Sequence, residues 1–178
     1  MTQTVSSFLI RRCAAEDAQV MASLGATLFA ETYGATHPEP ELSRYLARSF
    51  SVASVAESIR RDDVTMLVAE DRDVGPVGYA FTRASPDPPN GVEGQRAIEI
   101  VRFYVAVKAQ GRGIGAALMA DALADARARG ADVVWLQVWK EAPWAVGFYR
   151  RMGFVVVGSA TFYFGDQVGD DHIMSLPI

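Results

Sequence analysis

The sequence predicts a mixed α/β fold in which helices cover one β-sheet, and two observations support this prediction. Two short apolar segments, 64–70 and 77–83, flank the turn-forming stretch 71–75 and predict an antiparallel hairpin. Farther along the chain, strand-like apolar segments alternate with segments whose apolar residues recur at helical spacing. A hairpin followed by such alternation is typical of a mixed sheet with helices packed against it.

The elements before the hairpin are predicted from apolar spacing and turn residues. Segment 14–30 has apolar residues at helical spacing, and Glu16 and Asp17 occupy its first turn, where the helix dipole favours acidic side chains. Residues 37–40 include two prolines and break the chain. This part of the sequence predicts, in order, a strand at Phe8–Arg12 and helices at 14–30, 42–50 and 54–60.

The elements after the hairpin follow a loop, 85–94, that is rich in proline and glycine and is the best candidate for a mobile segment. This loop is too short to separate two domains, so residues 1–178 are predicted to form one domain. Gly130 stands where a left-handed residue would end a helix. The predicted elements are a strand at 97–107, a helix at 113–129, a strand at 133–138, a helix at 143–152 and strands at 154–158 and 172–176.

Composition narrows the class of protein. The chain has 178 residues and a net charge of −4, which argues against a broad nucleic-acid-binding surface. No apolar run approaches the roughly 20 residues of a membrane span, and the first residues lack the order of a signal peptide. Cys13 is the only cysteine, and His37 and His172 lie far apart, so neither a disulfide nor a metal site is predicted. We therefore expect a soluble, cytoplasmic protein.

A glycine-rich loop, QGRGIG at 110–115, lies between a predicted strand and a predicted helix. The first N–H groups of a helix have no partners within it, and small residues let a phosphate approach them closely. Arg112 would add a charge-assisted hydrogen bond to such a phosphate. The alternative is a tight turn that requires positive φ and binds nothing.

Two common nucleotide-binding patterns do not fit this loop. A Walker loop would end in Gly-Lys-Ser/Thr, whereas Gly115 is followed by Ala116 and Ala117. A Rossmann loop, G-x-G-x-x-G, lies near the first strand, whereas GRGIGA lacks the third glycine and lies beyond the midpoint of the chain.

A more specific match is to a family of acetyltransferases. The pattern Gln110-x-x-Gly113-x-Gly115, preceded by IEIVRFYVAV, resembles the pyrophosphate loop of the GCN5-related N-acetyltransferases, or GNAT family. The stretch AVGFYRRMGF, 145–154, is similar to a second motif of that family and follows in the family's order. Longer stretches resemble the PaiA-type spermidine/spermine acetyltransferases, at 31–50, 97–105, 135–154 and 161–174.

The resemblance implies a fold and a cofactor site. The implied fold is a mostly antiparallel sheet of six or seven strands, flanked by helices and splayed at the cofactor-binding strand. The implied co-substrate is acetyl-CoA, whose pantetheine arm would contact the main chain of Phe103, Tyr104 and Val105, residues that can also serve as a core strand. The pyrophosphate would be held by Gln110, Gly111, Arg112, Gly113, Ile114, Gly115 and Ala116.

The resemblance also implies two catalytic residues, each with a structural alternative. Tyr149 matches the family's tyrosine beside the thioester sulfur, where a phenol of pKa about 10 can protonate the leaving thiolate. Its alternative role is a packing aromatic beside Phe148. Glu99 matches a position used for the general base, directly or through water. Its alternative role is an ion-pair partner of Arg96 or Arg102.

The second motif departs from the family at its start, where an asparagine is common. Ala142 stands there and offers no side-chain hydrogen bond to the cofactor. Trp144 follows and could pack on the pantetheine arm, with a surface or core position as the alternative.

The acceptor site of this fold is shaped by the N-terminal helices and the 85–94 loop. A cationic amine could be met there by ion pairing or cation–π contact. The candidate residues are Glu31, Tyr33, His37 and Glu41, with Asp166, Asp170 and Asp171 adding negative potential from a C-terminal turn. For each acid taken singly, a solvated surface position is the alternative.

The resemblance thus implies an N-acetyltransferase that moves an acetyl group from acetyl-CoA to a small primary amine by direct attack. A polyamine such as spermidine or spermine is the first candidate acceptor. A peptide N-terminus, an amino acid or an antibiotic amine is the alternative acceptor, and an acetyl-CoA-binding regulator is the non-catalytic alternative. Dimers are common in the family, so a homodimer is a further hypothesis.

Overall fold

The computed structural model of the protein describes residues 7–37, 39–164 and 167–178. Its strands are β1 (Phe8–Arg12), β2 (Val64–Asp71), β3 (Gly75–Ser85), β4 (Ala97–Val105), β5 (Val133–Trp139), β6 (Val155–Phe164) and β7 (Gln167–Pro177). Its helices are α1 (Ala18–Tyr33), α2 (Glu41–Ser49), α3 (Val52–Arg60), α4 (Ile114–Ala128) and α5 (Pro143–Arg151). No helix in the described ranges is both long and apolar enough to cross a bilayer.

The strands form one sheet in the order β1-β2-β3-β4-β5-β7-β6. Neighbours are antiparallel except β4 and β5, which are parallel and pair only from Ala97–Ile100 to Val133–Leu136. Beyond these residues β4 continues along β3, whereas β5 continues along β7. The sheet therefore opens between β4 and β5, which confirms the predicted splay.

A β-bulge marks the start of the opening. Arg102 lies opposite Phe81 and Ile100 lies opposite Thr82, so Val101 is the extra residue in β4. After the bulge, Phe103 stacks on Phe148 of α5, with ring centroids 5.4 Å apart. The next residue, Tyr104, points to the other face of the sheet. Consecutive residues of β4 thus face the two sides of the opening.

Two apolar cores lie on the two faces of the sheet. On one face, α1 and α3 bury Met21, Leu28, Phe29 and Val55 against β2 and β3. On the other face, α4 and α5 cover the sheet, and Leu118 and Met119 of α4 are completely buried. Burying such a side chain contributes about 1.5–3 kcal/mol, so both helix layers are held mainly by this packing.

The predicted elements are confirmed in kind and order, with differences at several ends. Strands β6 and β7 are about twice as long as the predicted 154–158 and 172–176 and pair as a hairpin up to Phe164 and Gln167. The prediction was too short because β6 is an edge strand with exposed and polar residues, so its pairing with β7 rather than an apolar pattern defines it.

Two other boundaries move because short 3₁₀ turns occupy the ends of predicted elements. Helix α1 begins at Ala18 rather than at residue 14, after a turn at Ala15–Asp17 in which Asp17 accepts a hydrogen bond from the N–H of Ala14. Strand β4 ends at Val105, because Val107–Ala109 forms a second such turn. Gly130 has a φ of 78° after α4, as the sequence predicts.

Candidate active site

The glycine-rich loop joins the end of β4 to the start of α4. Gly111 and Gly113 have φ values of 76° and 80°, a region that favours glycine, and a Cβ at either position would meet only open space. Gly113 is the N-cap of α4, so the unpaired N–H groups of the first helical turn lie at an open surface. The loop therefore has the positive φ of a tight turn and also the geometry of an anion-binding helix start.

Two side chains of the loop are held by neighbouring elements. The amide of Gln110 donates a hydrogen bond to the carbonyl of Val105 at 3.0 Å, which ties the loop to the end of β4. The Arg112 guanidinium pairs with the carboxylate of Asp71 at 2.5 Å and donates to Ser7 Oγ at 2.9 Å. Arg112 is thus anchored at the flank of the loop while 41% of its side chain stays exposed.

Asp71 in turn closes the hairpin between β2 and β3. One of its carboxylate oxygens accepts hydrogen bonds from the N–H groups of Asp73 and Val74. The bond from Asp73 and the pairing with Arg112 lower the pKa of Asp71. The carboxylate is therefore charged at neutral pH and holds both the turn and the arginine.

Tyr149 lies on α5, facing the sheet. Its ring contacts Phe103, Phe148 and Phe154, with centroids 5.4–6.3 Å apart, and 8% of the residue is exposed. Burial raises the pKa of Tyr149, with a smaller contribution from Tyr33. The side chain is therefore a packed aromatic, and its phenol carries a proton at neutral pH.

The last residues of β4 lie beyond its pairing with β5, with α5 on one face of the sheet and α1 on the other. Phe103 packs toward Phe148, whereas Tyr104 contacts Phe29 and Tyr33 of α1 and Tyr79 of β3. Burial raises the pKa of Tyr104. The backbone of 103–105 has no pairing with β5, as expected of a strand that receives a pantetheine arm.

A cavity of about 690 Å³ opens on the Tyr104 side of the splay. It lies between α1 and α2, the bulged part of β4, the end of β5 and the β6–β7 hairpin. Eight ring-bearing side chains line it: Phe29, Tyr33, His37, Tyr45, Tyr104, Trp139, Phe162 and Phe164. The ring of His37 lies edge-on to Phe164, with centroids 4.1 Å apart, so the turn after α1 and the hairpin meet at this cavity.

Four acidic side chains line the same cavity: Glu99, Glu141, Asp170 and Asp171. Glu99 pairs with Arg83 of β3, and not with the predicted Arg96 or Arg102. Asp170 pairs with Lys140 at 2.6 Å. Asp171 is buried, and burial together with the charge of Asp170 raises its pKa.

The acceptor candidates from the sequence divide into three groups. Tyr33, His37, Asp170 and Asp171 line the cavity, as predicted. Glu31 and Glu41 are not among the described residues of the cavity wall, since Glu31 is exposed and Glu41 pairs with Arg44 on α2. Asp166 lies outside the described residues.

Sequence analysis missed several residues of the cavity. The sequence patterns do not point to acceptor binding by five residues of its wall: Tyr45, Trp139, Glu141, Phe162 and Phe164. The last two belong to the part of β6 that the sequence prediction left out. The aromatic spacing at 162 and 164, two residues apart, was the available signal for a strand face lined with rings.

The start of the second motif is the N-terminus of α5. Ala142 is its buried N-cap and makes no side-chain hydrogen bond there. Trp144 is 60% exposed on the same helix turn, so its contact with a pantetheine arm stays a prediction. Among the residues in the described ranges, no group of three or more His, Cys, Asp or Glu could hold a metal ion.

The strand β4, the glycine-rich loop, α4, β5 and α5 follow one another along the chain. Comparison with known proteins identifies the family. Residues 25–154 match the Acetyltransferase (GNAT) family. The chain belongs to this family. Its members' co-substrate is acetyl-CoA, and the protein is an acetyl-CoA-dependent N-acetyltransferase.

Similar proteins agree with this assignment. An uncharacterized N-acetyltransferase of Mycobacterium tuberculosis is 29% identical over 158 residues, which are 89% of this chain and 96% of that protein. A mycothiol acetyltransferase of Saccharomonospora viridis is 31% identical over 130 residues, 71% of this chain and 40% of that protein.

A solved structure shows the same fold. The PaiA N-acetyltransferase of Thermoplasma acidophilum, in complex with coenzyme A, has a TM-score of 0.76 to this GNAT enzyme at 21% identity. The match covers 97% of this chain and 99% of that chain. The GNAT fold expected from the two sequence motifs is thereby confirmed.

Proposed function

We propose that this GNAT enzyme acetylates a small cationic primary amine, with a polyamine such as spermidine or spermine as the first candidate. The observation that supports this acceptor class is the cavity beside the splay, which combines aromatic walls with four acidic side chains. Aromatic faces attract ammonium groups, and carboxylates pair with them. A neutral or anionic acceptor would gain neither interaction.

The cofactor would approach from the other end of β4. The diphosphate of acetyl-CoA would bind at the loop from Gln110 to Ala116, on the N–H groups at the start of α4. The pantetheine arm would lie along the edge of 103–105 that is not paired with β5. This path leads from the loop to the start of the splay, between the cavity on one side of β4 and α5 on the other.

The chemistry follows from these two approaches. The neutral amine attacks the thioester carbonyl, a C–N bond forms, and the C–S bond breaks as the tetrahedral intermediate collapses. Tyr149 would donate its proton to the departing thiolate, since its buried phenol is protonated at neutral pH, and its raised pKa makes it a weaker acid than an exposed phenol. Glu99 stays the base candidate from the sequence, and it faces the cavity while paired with Arg83.

A panel of amines tests the proposed acceptor. Release of free thiol from acetyl-CoA is measured with spermidine, spermine, an amino acid, a short peptide with a free N-terminus and an aminoglycoside. The proposal predicts that the polyamines have the highest kcat/KM, at least about tenfold above the amino acid, since one cation–π contact or ion pair in a partly desolvated site contributes about 1–2 kcal/mol.

Three outcomes would decide against the polyamine. A higher kcat/KM for the peptide or the amino acid would assign the enzyme to the corresponding acceptor class. A preference for the aminoglycoside would indicate an antibiotic amine. Tight acetyl-CoA binding without turnover of any amine would support the regulator alternative.

A further inference from the structure

Asp171 lies at the wall of the cavity, beside the opening between β4 and β5. It lies on β7 directly opposite Trp139, the last residue of β5, so it stands where β5 has already diverged from β4. The residue is 7% exposed and lines the cavity. Its carboxylate is therefore buried in protein but open to whatever fills the cavity.

Among the four acidic residues of the cavity, Asp171 alone combines burial with a carboxylate that is not engaged by a cation. Glu99 is paired with Arg83, and Asp170 with Lys140. Glu141 is exposed at the mouth. Within the described ranges, the side chain of Asp171 makes no hydrogen bond and no ion pair. A buried carboxylate without a partner is costly unless a ligand or a proton meets it.

The groups that face Asp171 come from every element around the cavity. They are Tyr33 of α1, His37 in the turn after it, Tyr45 of α2, Glu99, Arg102 and Tyr104 of β4, Lys140 and Glu141 after β5, and Asp170 on its own strand. Burial and Asp170 raise the pKa of Asp171, and Lys140 lowers it. The net result is a carboxyl group that takes up a proton more readily than an ordinary aspartate.

Tyrosines connect Asp171 with the reaction centre. Burial and, to a smaller extent, the charge of Asp171 raise the pKa of Tyr33, whose ring lies edge-on to that of Tyr104 with centroids 6.4 Å apart. Tyr33 in turn contributes to the raised pKa of Tyr149. The ring of Tyr33 also lies 6.5 Å from that of Trp139, the residue opposite Asp171, whereas Tyr149 packs against Phe103 on the other side of β4.

We propose that Asp171 is the general base that takes the proton from the incoming ammonium group. This inference rests on the proposed acetylation of a cationic amine. Asp171 accepts one proton from the R–NH₃⁺ group, and the resulting amine attacks the thioester. Tyr149 gives its proton to the sulfur, and the second nitrogen proton restores the phenol. Asp171 then releases its proton through the cavity mouth, so the reaction yields the amide, the free thiol and one proton.

The test compares three variants by their pH profiles. For the wild type, kcat/KM with spermidine rises with pH along an acidic limb as the base loses its proton. In Asp171→Asn this limb is lost, and kcat/KM at neutral pH falls by about 100-fold or more, the usual contribution of a general base. In Glu99→Gln the limb stays in place, because that carboxylate is already paired.

Asp170→Asn provides a second test that leaves Asp171 intact. Removing the neighbouring negative charge and freeing Lys140 lowers the pKa of Asp171, so the acidic limb moves to lower pH. Calorimetric affinity for coenzyme A and thermal stability show whether each variant is folded. If Asp171→Asn does not fold, the shift of the acidic limb in Asp170→Asn decides the test.

The results that overturn the proposal are specific. A limb that persists in Asp171→Asn, that disappears in Glu99→Gln, or that does not move in Asp170→Asn would exclude Asp171 as the base. These three results exclude Asp171 as the base only when the wild type acetylates spermidine. A wild type without any such activity would instead contradict the proposed function.

Discussion

Tyr149 has a packing position in the structure and a proposed role as the acid of the reaction. The sequence left open whether it is an acid or a core aromatic, and the structure shows it packed among three phenylalanines at the base of α5. Burial penalises the phenolate more than the phenol, so the phenol is protonated at neutral pH, but the same raised pKa makes it a weaker acid toward a thiolate. Packing therefore keeps the proton on Tyr149 without making its donation easier.

Tyr149→Phe should lower kcat by about 100-fold while leaving the affinity for coenzyme A unchanged, because it removes a proton donor but keeps the ring. The measurement is steady-state thiol release, with calorimetry for cofactor affinity. Tyr79→Phe is the matched control, since Tyr79 is also a buried phenol and its hydroxyl has no hydrogen-bond partner in the described part of the chain. An unchanged kcat in Tyr149→Phe would remove the acid role.

At the scale of elements, the sequence predicted the parts that carry strong local signals. Apolar spacing gave α1 and α4, and the hairpin of β2 and β3 followed from two apolar runs around a turn. The β6–β7 hairpin was underestimated because an edge strand needs no apolar alternation on its open side. The part of β6 that the sequence does not predict contains Phe162 and Phe164, two of the cavity residues that the sequence did not suggest.

The glycine loop shows a different limit of the sequence. Positive φ at Gly111 and Gly113 was predictable, but the partner of Arg112 was not, since Asp71 lies about 40 residues earlier. The pairing follows only from the sheet, which brings the end of β2 beside the end of β4. In the same way, Glu99 pairs with Arg83 because β3 and β4 place them opposite each other.

Asp71→Asn should weaken both the hairpin and the cofactor loop. The lowered pKa of Asp71 means that its ionised form stabilises the folded chain above its unfolded pKa of about 4, and this contribution is lost as pH falls through the folded pKa. Urea midpoints of wild type and variant should therefore differ at neutral pH and converge in acid. The affinity for coenzyme A should fall several-fold, since Arg112 loses its anchor.

Asp73→Asn in the same turn is the control, because its exposed side chain makes no described contact with the loop. Equal urea midpoints for wild type and Asp71→Asn at neutral pH would show that the carboxylate of Asp71 does not hold this junction.

At the scale of the whole molecule, the proposed sites would give the two substrates separate approaches to the splayed sheet. The loop before α4 and the helix α5 lie on one side of β4, and the acidic aromatic cavity lies on the other. The strand between them turns consecutive side chains, Phe103 and Tyr104, to the two sides. In the proposed arrangement, the reacting groups would meet where β4 leaves β5.

The most direct measurement of this arrangement is a crystal structure of the protein with coenzyme A and spermidine. We predict the diphosphate on the N–H groups of 111–116, the sulfur within hydrogen-bond reach of the Tyr149 hydroxyl, and an amine nitrogen in the cavity beside Asp171. Density for spermidine outside the cavity, or a sulfur remote from Tyr149, would contradict the proposed meeting of the two substrates at the opening between β4 and β5.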